Sequence, residues 1–218
     1  MGGQKVAIIG AGHLGTLLAN RIPATCRKVI ISHHKADAVA LADEVGGLAS
    51  DQMSAVRGCP VIFLAVPGPV AAQVLPEFQP HLDDNALVVN MAADVMTDEL
   101  AETFPQVRFA AVKVIGHARE MALGSPGVIV LDHVSDEDEA LLRELVGGLG
   151  PITRDDESKV VMANAAVAEV MGKAASELRG RLSALGLDAE LINAAITTTG
   201  PGVLRSLAEA DPGQSRPE

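Results

Sequence analysis

Two patterns of apolar and polar residues alternate along the first two thirds of the chain. Short, continuous apolar runs rich in Val and Ile are typical of parallel strands that are covered on both faces. Six such runs predict strands, at residues 6–10, 29–32, 61–66, 86–90, 109–112 and 128–131. The stretches between them have helical spacing, at residues 14–22, 35–45, 69–78 and 97–104. The alternation predicts an α/β fold with a doubly wound, mostly parallel sheet and right-handed crossovers.

A further helix is marked by its ends. Ser135 is a good N-cap, an acidic run follows it at residues 136–139, and Gly147 and Gly148 close the segment. Carboxylates near the positive end of a helix stabilise that helix. The acidic run is therefore predicted to support the helix start and not to bind a metal.

The pattern changes after residue 153, where no further strand is predicted. A long Ala-rich helix is expected at about residues 155–184, a second at 188–198 and a third after Gly200. We expect an α/β domain at 1–153, a small all-helical domain at 154–210 and a disordered polar tail at 211–218. A helical segment of this size is short for an independent core, so pairing of two copies in a homodimer is predicted.

Composition narrows the class of partner. The chain has 218 residues and a net charge of −11, with no cluster of Lys or Arg. Nucleic acids and anionic membranes require a basic surface, so neither is expected as a partner, and a small-molecule substrate is. Cys26 and Cys59 lack metal-ligand spacing, and no metal site is predicted. Reduced thiols and an N-terminus that does not resemble a signal peptide favour a cytoplasmic location.

A glycine-rich turn follows the first predicted strand. Gly10, Gly12 and Gly15 form a G-x-G-x-x-G motif that includes His13 and Leu14 and opens the first predicted helix. In a Rossmann-type domain, the first glycine permits a tight turn, the second admits a pyrophosphate and the third lets helix and strand pack closely. The position of the motif predicts dinucleotide binding at all three glycines, His13 and Leu14, although a glycine turn that binds nothing remains the alternative.

The end of the second strand bears on the choice of cofactor. A carboxylate there binds the ribose 2′-hydroxyl of NAD(H), whereas this chain has Ser32, His33, His34 and Lys35. Hydroxyl, imidazole and ammonium groups suit a 2′-phosphate, so NADP(H) is predicted as the cofactor. The alternative is that these are ordinary solvated residues at a helix start.

The motifs together resemble a known family. Pyrroline-5-carboxylate reductases and their relatives are similar to this chain in the glycine loop, the segment Leu64-Ala65-Val66-Pro67, the segment from Val88 to Val95 and the helical C-terminal part. The similarity covers about residues 1–155 well and the remainder loosely. The resemblance implies an NADPH-binding Rossmann domain and a helical dimer whose interface completes an imine pocket. It also implies cofactor contacts for Ala65, Val66, Pro67, Asn90 and Ala92, with Met91 beside the substrate.

Other residues are candidates for substrate chemistry. Lys113 and His117 follow the fifth predicted strand, where either side chain could donate a proton as hydride is delivered. Asn164 and Thr198 in the helical part are candidate substrate contacts. The predicted activity is reduction of a C=N or C=O bond in a small metabolite. A β-hydroxyacid-type dehydrogenase and a non-catalytic NADP-binding module are the alternatives.

Overall fold

A computed structural model describes residues 3–210 of the chain. The expected tail at 211–218 lies outside the described residues. Eight strands form one sheet: β1 (Lys5–Ile9), β2 (Arg27–Ile31), β3 (Leu48–Ser50), β4 (Val61–Leu64), β5 (Leu87–Asn90), β6 (Arg108–Ile115), β7 (Val128–Asp132) and β8 (Ile152–Arg154). Nine α-helices are found within residues 3–210: α1 (His13–Arg21), α2 (Lys35–Val45), α3 (Gly68–Phe78), α4 (Thr97–Thr103), α5 (Ala118–Ala122), α6 (Asp136–Val146), α7 (Glu157–Ala184), α8 (Ala189–Ala194) and α9 (Gly200–Ala210).

The sheet has the order β3-β2-β1-β4-β5-β6-β7-β8. Every neighbouring pair is parallel except β6 and β7, which are antiparallel. The chain winds outward from β1 in both directions, which is the doubly wound arrangement with a switch point between β1 and β4. The predicted fold class is therefore confirmed.

Two strands were missed by the sequence pattern. β3 and β8 each have three residues and lie at the two edges of the sheet. Residues Leu48 and Ala49 of β3 are exposed, as are Thr153 and Arg154 of β8. An edge strand needs no continuous apolar run, because one side of it faces water. β3 and β8 are absent from the six predicted strands for this reason.

The sheet is covered on both faces by separate apolar cores. Val6 and Ile8 of β1 belong to one core cluster, whereas Ala7 and Ile9 belong to the other. Side chains alternate across a strand, so a run that is apolar at every position is buried on both sides. This packing explains why the continuous apolar runs in the sequence were enough to predict β1 and β4.

The chain divides into two compact units, the first ending at Asn164 and the second beginning at Ala165. α7 starts in the first unit and continues into the second. The second unit contains the remainder of α7, α8, a π-helical turn at Ala195–Thr199 and α9. Asp188 caps α8 by accepting a hydrogen bond from Leu191 N at 2.9 Å. No helix within residues 3–210 combines the length and the apolar character that a bilayer crossing requires.

Candidate functional site

The glycine loop between β1 and α1 has a different requirement at each glycine. Gly10 has φ +112°, and a Cβ atom there would lie 2.5 Å from the carbonyl oxygen of Ala65. A Cβ on Gly15 would lie 1.9 Å from the carbonyl oxygen of Gly10. No atom lies within 4 Å of the position that a Cβ on Gly12 would take, among the residues described. The fold therefore requires glycine at positions 10 and 15, but not at position 12.

The N-terminus of α1 faces this loop with its positive end uncompensated. The N-cap Gly12 offers no side chain, and no acidic residue lies in the first turn. Free N–H groups and the helix dipole favour an anion at such an end. His13 and Leu14 belong to this first turn, with His13 exposed and Leu14 partly buried.

The loops after β1, β4 and β5 meet at the carboxyl edge of the sheet. Ala65 closely approaches Gly10 and is 7% exposed, while Val66 is half-buried and Pro67 is exposed. Asp94, in the loop after β5, accepts a hydrogen bond from Gly68 N at 2.9 Å. Asp94 thereby joins that loop to the start of α3. Ligands of open α/β sheets bind in the crevice that such loops form.

The residues expected to bind the 2′-phosphate of NADP(H) follow the end of β2. Ser32 is partly buried and accepts a hydrogen bond from His34 N at 3.2 Å, whereas His33, His34 and Lys35 are exposed. Lys35 Nζ lies 3.6 Å from Asp51 Oδ2, in the segment after β3. A hydrogen bond from Gln52, and then the charge of Lys35, hold the pKa of Asp51 below its usual value. This carboxylate was not anticipated, because β3 was not predicted.

Lys113 occupies a different setting from the one expected at the sheet edge. Its side chain is 1% exposed, and its Nζ donates to the carbonyl oxygens of Ala92 at 2.5 Å and Val95 at 2.8 Å. Glu157 Oε2, in a carboxylate that is 0% exposed, lies 3.3 Å from the same ammonium. Burial lowers the pKa of Lys113, and the neighbouring Glu157 charge opposes that shift. The ammonium is thus enclosed by protein and does not face the crevice.

Glu157 is the centre of a buried network. Its carboxylate accepts hydrogen bonds from Thr97 N at 2.5 Å and Thr97 Oγ1 at 2.9 Å. Asn90 Nδ2 donates to Thr97 Oγ1 at 3.1 Å and to the carbonyl oxygen of Val95 at 3.0 Å, and Asn90 Oδ1 accepts from Ala92 N at 3.0 Å. We call the loop at residues 91–96 the β5 loop. The network fixes the path of the β5 loop through Ala92 N and through the carbonyl oxygens of Ala92 and Val95.

Burial also changes what the β5 loop presents to a ligand. Asn90, Met91 and Ala92 are 0%, 2% and 2% exposed. Met91 packs in the apolar core, so its side chain does not line a substrate pocket as expected. Asn90 and Ala92 are buried in the same way, so their side chains are not exposed to a ligand.

The remaining candidates belong to three different elements. His117 is exposed and is the N-cap of α5. Asn164 Nδ2 donates to the carbonyl oxygen of Val114 at 3.0 Å, which ties α7 to β6. Thr198, in the second unit, donates its hydroxyl to the carbonyl oxygen of Ala194. Glu157 was missed, since an acidic residue at a helix start is indistinguishable from a simple cap in sequence.

Comparisons with known proteins agree with this geometry. Residues 5–94 match the family model described as NADP oxidoreductase, coenzyme F420-dependent. The chain is 26% identical over 201 residues to a glycerol-3-phosphate dehydrogenase [NAD(P)+] of Rhizobium etli, covering 82% of this chain and 62% of the relative. It is 27% identical over 164 residues to pyrroline-5-carboxylate reductase 3 of Danio rerio, covering 71% of this chain and 55% of the relative. The predicted resemblance is confirmed.

Solved structures show the same fold. A pyrroline-5-carboxylate reductase of Streptococcus pyogenes has a TM-score of 0.69 at 16% identity, covering 100% of this chain and 83% of that one. The Plasmodium falciparum pyrroline carboxylate reductase, solved with NADP bound, has a TM-score of 0.62 at 20% identity, covering 97% and 81%. The curated relatives are longer proteins, of which the matched regions span 45% to 62%.

Removal of one partner of the buried ion pair is predicted to be strongly destabilising. Lys113→Met leaves the Glu157 carboxylate buried without its counter-ion, and the free energy of unfolding should fall by about 3–5 kcal/mol. Adding Glu157→Gln, which still accepts from Thr97, should recover part of that loss. Urea unfolding followed by circular dichroism measures both values.

The exposed pair Lys173 and Glu169 is the matched control. Their side chains are 75% and 66% exposed, and Lys173 Nζ lies 2.5 Å from Glu169 Oε1. Because exposed ion pairs contribute little, Lys173→Met should change the free energy of unfolding by at most about 0.5 kcal/mol. Equal effects of Lys173→Met and Lys113→Met would contradict the structural role given to the buried pair.

Proposed function

We propose that the chain binds NADP(H) at the carboxyl edge of the sheet and is an oxidoreductase acting on a C=N or C=O bond of a small metabolite. The observation that carries the proposal is Gly12. It is the one glycine of the motif whose missing side chain the fold does not require. A diphosphate that approaches the backbone at the N-terminus of α1 would explain the glycine, because a side chain at position 12 would occupy its place.

Support for the 2′-phosphate comes from Lys35 and its neighbours. Lys35 and Asp51 form an exposed pair at 3.6 Å, with side chains 71% and 37% exposed. Exposed pairs of this kind are weak, so a phosphate carrying nearly two negative charges competes well for the ammonium. The names of the relatives include both NADP and NAD(P)+, and this segment is where the preference of the chain is decided.

The bound dinucleotide would supply the hydride, and the protein would position it against the substrate. The β5 loop, held by Asn90, Lys113 and Glu157, contributes a fixed wall of the crevice. We therefore propose Lys113 as a positioning residue. His117 is exposed at the start of α5 and stays our candidate for the proton donor.

We also propose that two copies pair through the second unit. In α9, Val203, Leu204 and Leu207 are 53%, 47% and 64% exposed and lie on one face of the helix. Val167 and Val170 of α7 are 62% and 58% exposed. Apolar surface of this extent on a small unit favours burial against a partner, and a second copy has the same surface to bury.

The cofactor preference is predicted to depend on Lys35. Wild-type protein should bind NADPH at least about tenfold more tightly than NADH, and Lys35→Ala should lose about tenfold in NADPH affinity while NADH is unaffected. The change follows from removing the cation that meets the 2′-phosphate. Cofactor fluorescence measures both affinities with little background, because the chain has no Trp or Tyr.

Lys173→Ala is the control for the loss of a surface cation, and it should leave both affinities unchanged. Absence of binding by either cofactor would overturn the proposed function. If NADPH binds, NADPH oxidation with cyclic imines, ketones and coenzyme F420, and NADP+ reduction with hydroxyacids, separate the alternatives. A hydroxyacid that reduces NADP+ favours the dehydrogenase, and no turnover in either direction favours the binding module.

Substitutions at Gly12 and Gly15 are predicted to affect different properties, namely cofactor binding at Gly12 and stability at Gly15. Gly12→Asn should leave the free energy of unfolding within about 1 kcal/mol, because Asn is a favourable N-cap, but should weaken NADPH binding at least about tenfold. Gly15→Ala should lower the free energy of unfolding by about 3 kcal/mol, since its methyl group meets the Gly10 carbonyl. Urea unfolding and cofactor titration test the pair, and tight NADPH binding by Gly12→Asn would refute the assignment.

Pairing of two copies is tested by light scattering on the full chain. We expect twice the chain mass of 22.5 kDa, and Val170→Lys should shift the species toward the monomer by placing a charge in the buried surface. Val39→Lys, at a residue 41% exposed in the first unit, is the control and should not alter the mass. A wild-type monomer at micromolar concentration would contradict the pairing.

A further inference from the structure

A groove of about 1000 Å³ lies beside the glycine loop, between α1, α2 and α5. At the end of the groove near the glycine loop, Nε of Arg119 in α5 lies 2.6 Å from Nε2 of His13, the first residue of α1. We propose that Arg119 is a further cofactor-binding residue, which holds the diphosphate of the dinucleotide opposite the N-terminus of α1. The inference rests on the proposed function and adds a contact that no motif of the sequence indicates.

The guanidinium is available for an anion. A guanidinium only donates hydrogen bonds, so Arg119 Nε donates in this contact and His13 Nε2 accepts. Within residues 3–210, no carboxylate lies within 4.0 Å of Arg119, and His13 is the sole hydrogen-bond partner found for its guanidinium. Four of its five N–H groups are therefore unused by the part of the chain that the structure describes.

Core packing holds the backbone of α5 near α1. Met121, two residues further along α5, is 3% exposed and belongs to the core cluster that also contains residues of α1. Gly127 leaves room for it, because a Cβ there would lie 2.5 Å from Met121 Cε. α5 is thus held against α1 by packing, and the meeting of Arg119 with His13 follows from that packing.

The groove is also lined by the carboxylates of Asp37 and Glu44 and by the guanidinium of Arg21 at the last position of α1. Glu44 accepts a hydrogen bond from Asn20 Nδ2 at 2.9 Å. Asn20 lies seven residues along α1 from His13, about 10 Å by helical rise. The negative charge of Glu44 is therefore near the far end of α1, while the positive helix end and Arg119 are together. A diphosphate between them would receive backbone N–H groups from one side and a guanidinium, which binds phosphate oxygens in pairs, from the other.

The test is cofactor affinity with the two phosphate groups separated. Arg119→Ala should weaken both NADPH and NADH about tenfold, because both carry the diphosphate. Lys35→Ala should weaken NADPH alone. Adenosine 2′-monophosphate, which has no diphosphate, should bind Arg119→Ala as it binds wild type in isothermal titration. Unchanged binding of this probe also shows that the variant is folded.

Arg57 provides the matched control. It is an exposed arginine whose Nη2 lies 3.0 Å from His81 Nδ1, and it precedes β4 at the amino edge of the sheet. Arg57→Ala should leave every affinity unchanged. Arg119→Lys, which keeps the charge but not the paired hydrogen bonds, should bind with intermediate affinity.

The outcomes separate the inference from the proposed function. If wild type binds NADPH and Arg119→Ala binds NADPH and NADH equally well, the inference is overturned and the proposed function stands. If Arg119→Ala weakens NADPH but not NADH, Arg119 acts on the 2′-phosphate and the diphosphate assignment is overturned. If Arg119→Ala does not fold, Arg119→Lys decides, and wild-type affinity for both cofactors would overturn the inference. If wild type binds neither cofactor, the proposed function itself falls.

Discussion

The ion pair between Lys113 and Glu157 joins three parts of the molecule that are far apart in sequence. Lys113 lies on β6 and binds the β5 loop, whereas Glu157 begins α7 and binds Thr97 at the start of α4. Two charges are costly to bury, and they are tolerated here because neighbouring groups complete their hydrogen bonds. No buried side-chain nitrogen or oxygen lacks a hydrogen-bond partner in the part of the chain that the structure describes.

This network connects the wall of the crevice to the start of α7. Asp132, at the end of β7, accepts a hydrogen bond from Glu157 N at 3.0 Å and so fixes where the helix begins. Glu157 then holds Thr97, which closes the β5 loop from the other side. The β5 loop has few degrees of freedom left, and a rigid backbone is what a preorganised binding site needs.

The glycine loop lies at the same carboxyl edge of the sheet, where β4 separates β1 from β5, and its shape has a different physical origin. Its shape comes from steric limits, since Gly10 and Gly15 leave room only for hydrogen. Its attraction for anions comes from unpaired N–H groups at the start of α1 and from positive side chains with few partners. The β5 loop is thus held by a closed polar network, whereas the glycine loop keeps open hydrogen-bond donors.

The sequence by itself determined the strands covered on both faces, most of the helices in the first unit and the glycine loop, because these depend on periodicity and on local backbone sterics. The tertiary structure decided the rest. The edge strands β3 and β8 are defined by their neighbours and not by their own composition. From the sequence alone, Lys113 was interpreted as a free cation, and only the fold places Glu157 beside it. His13 and Arg119 are separated by 106 residues. Contacts between such distant positions arise only when the core packs, so no local pattern encodes them.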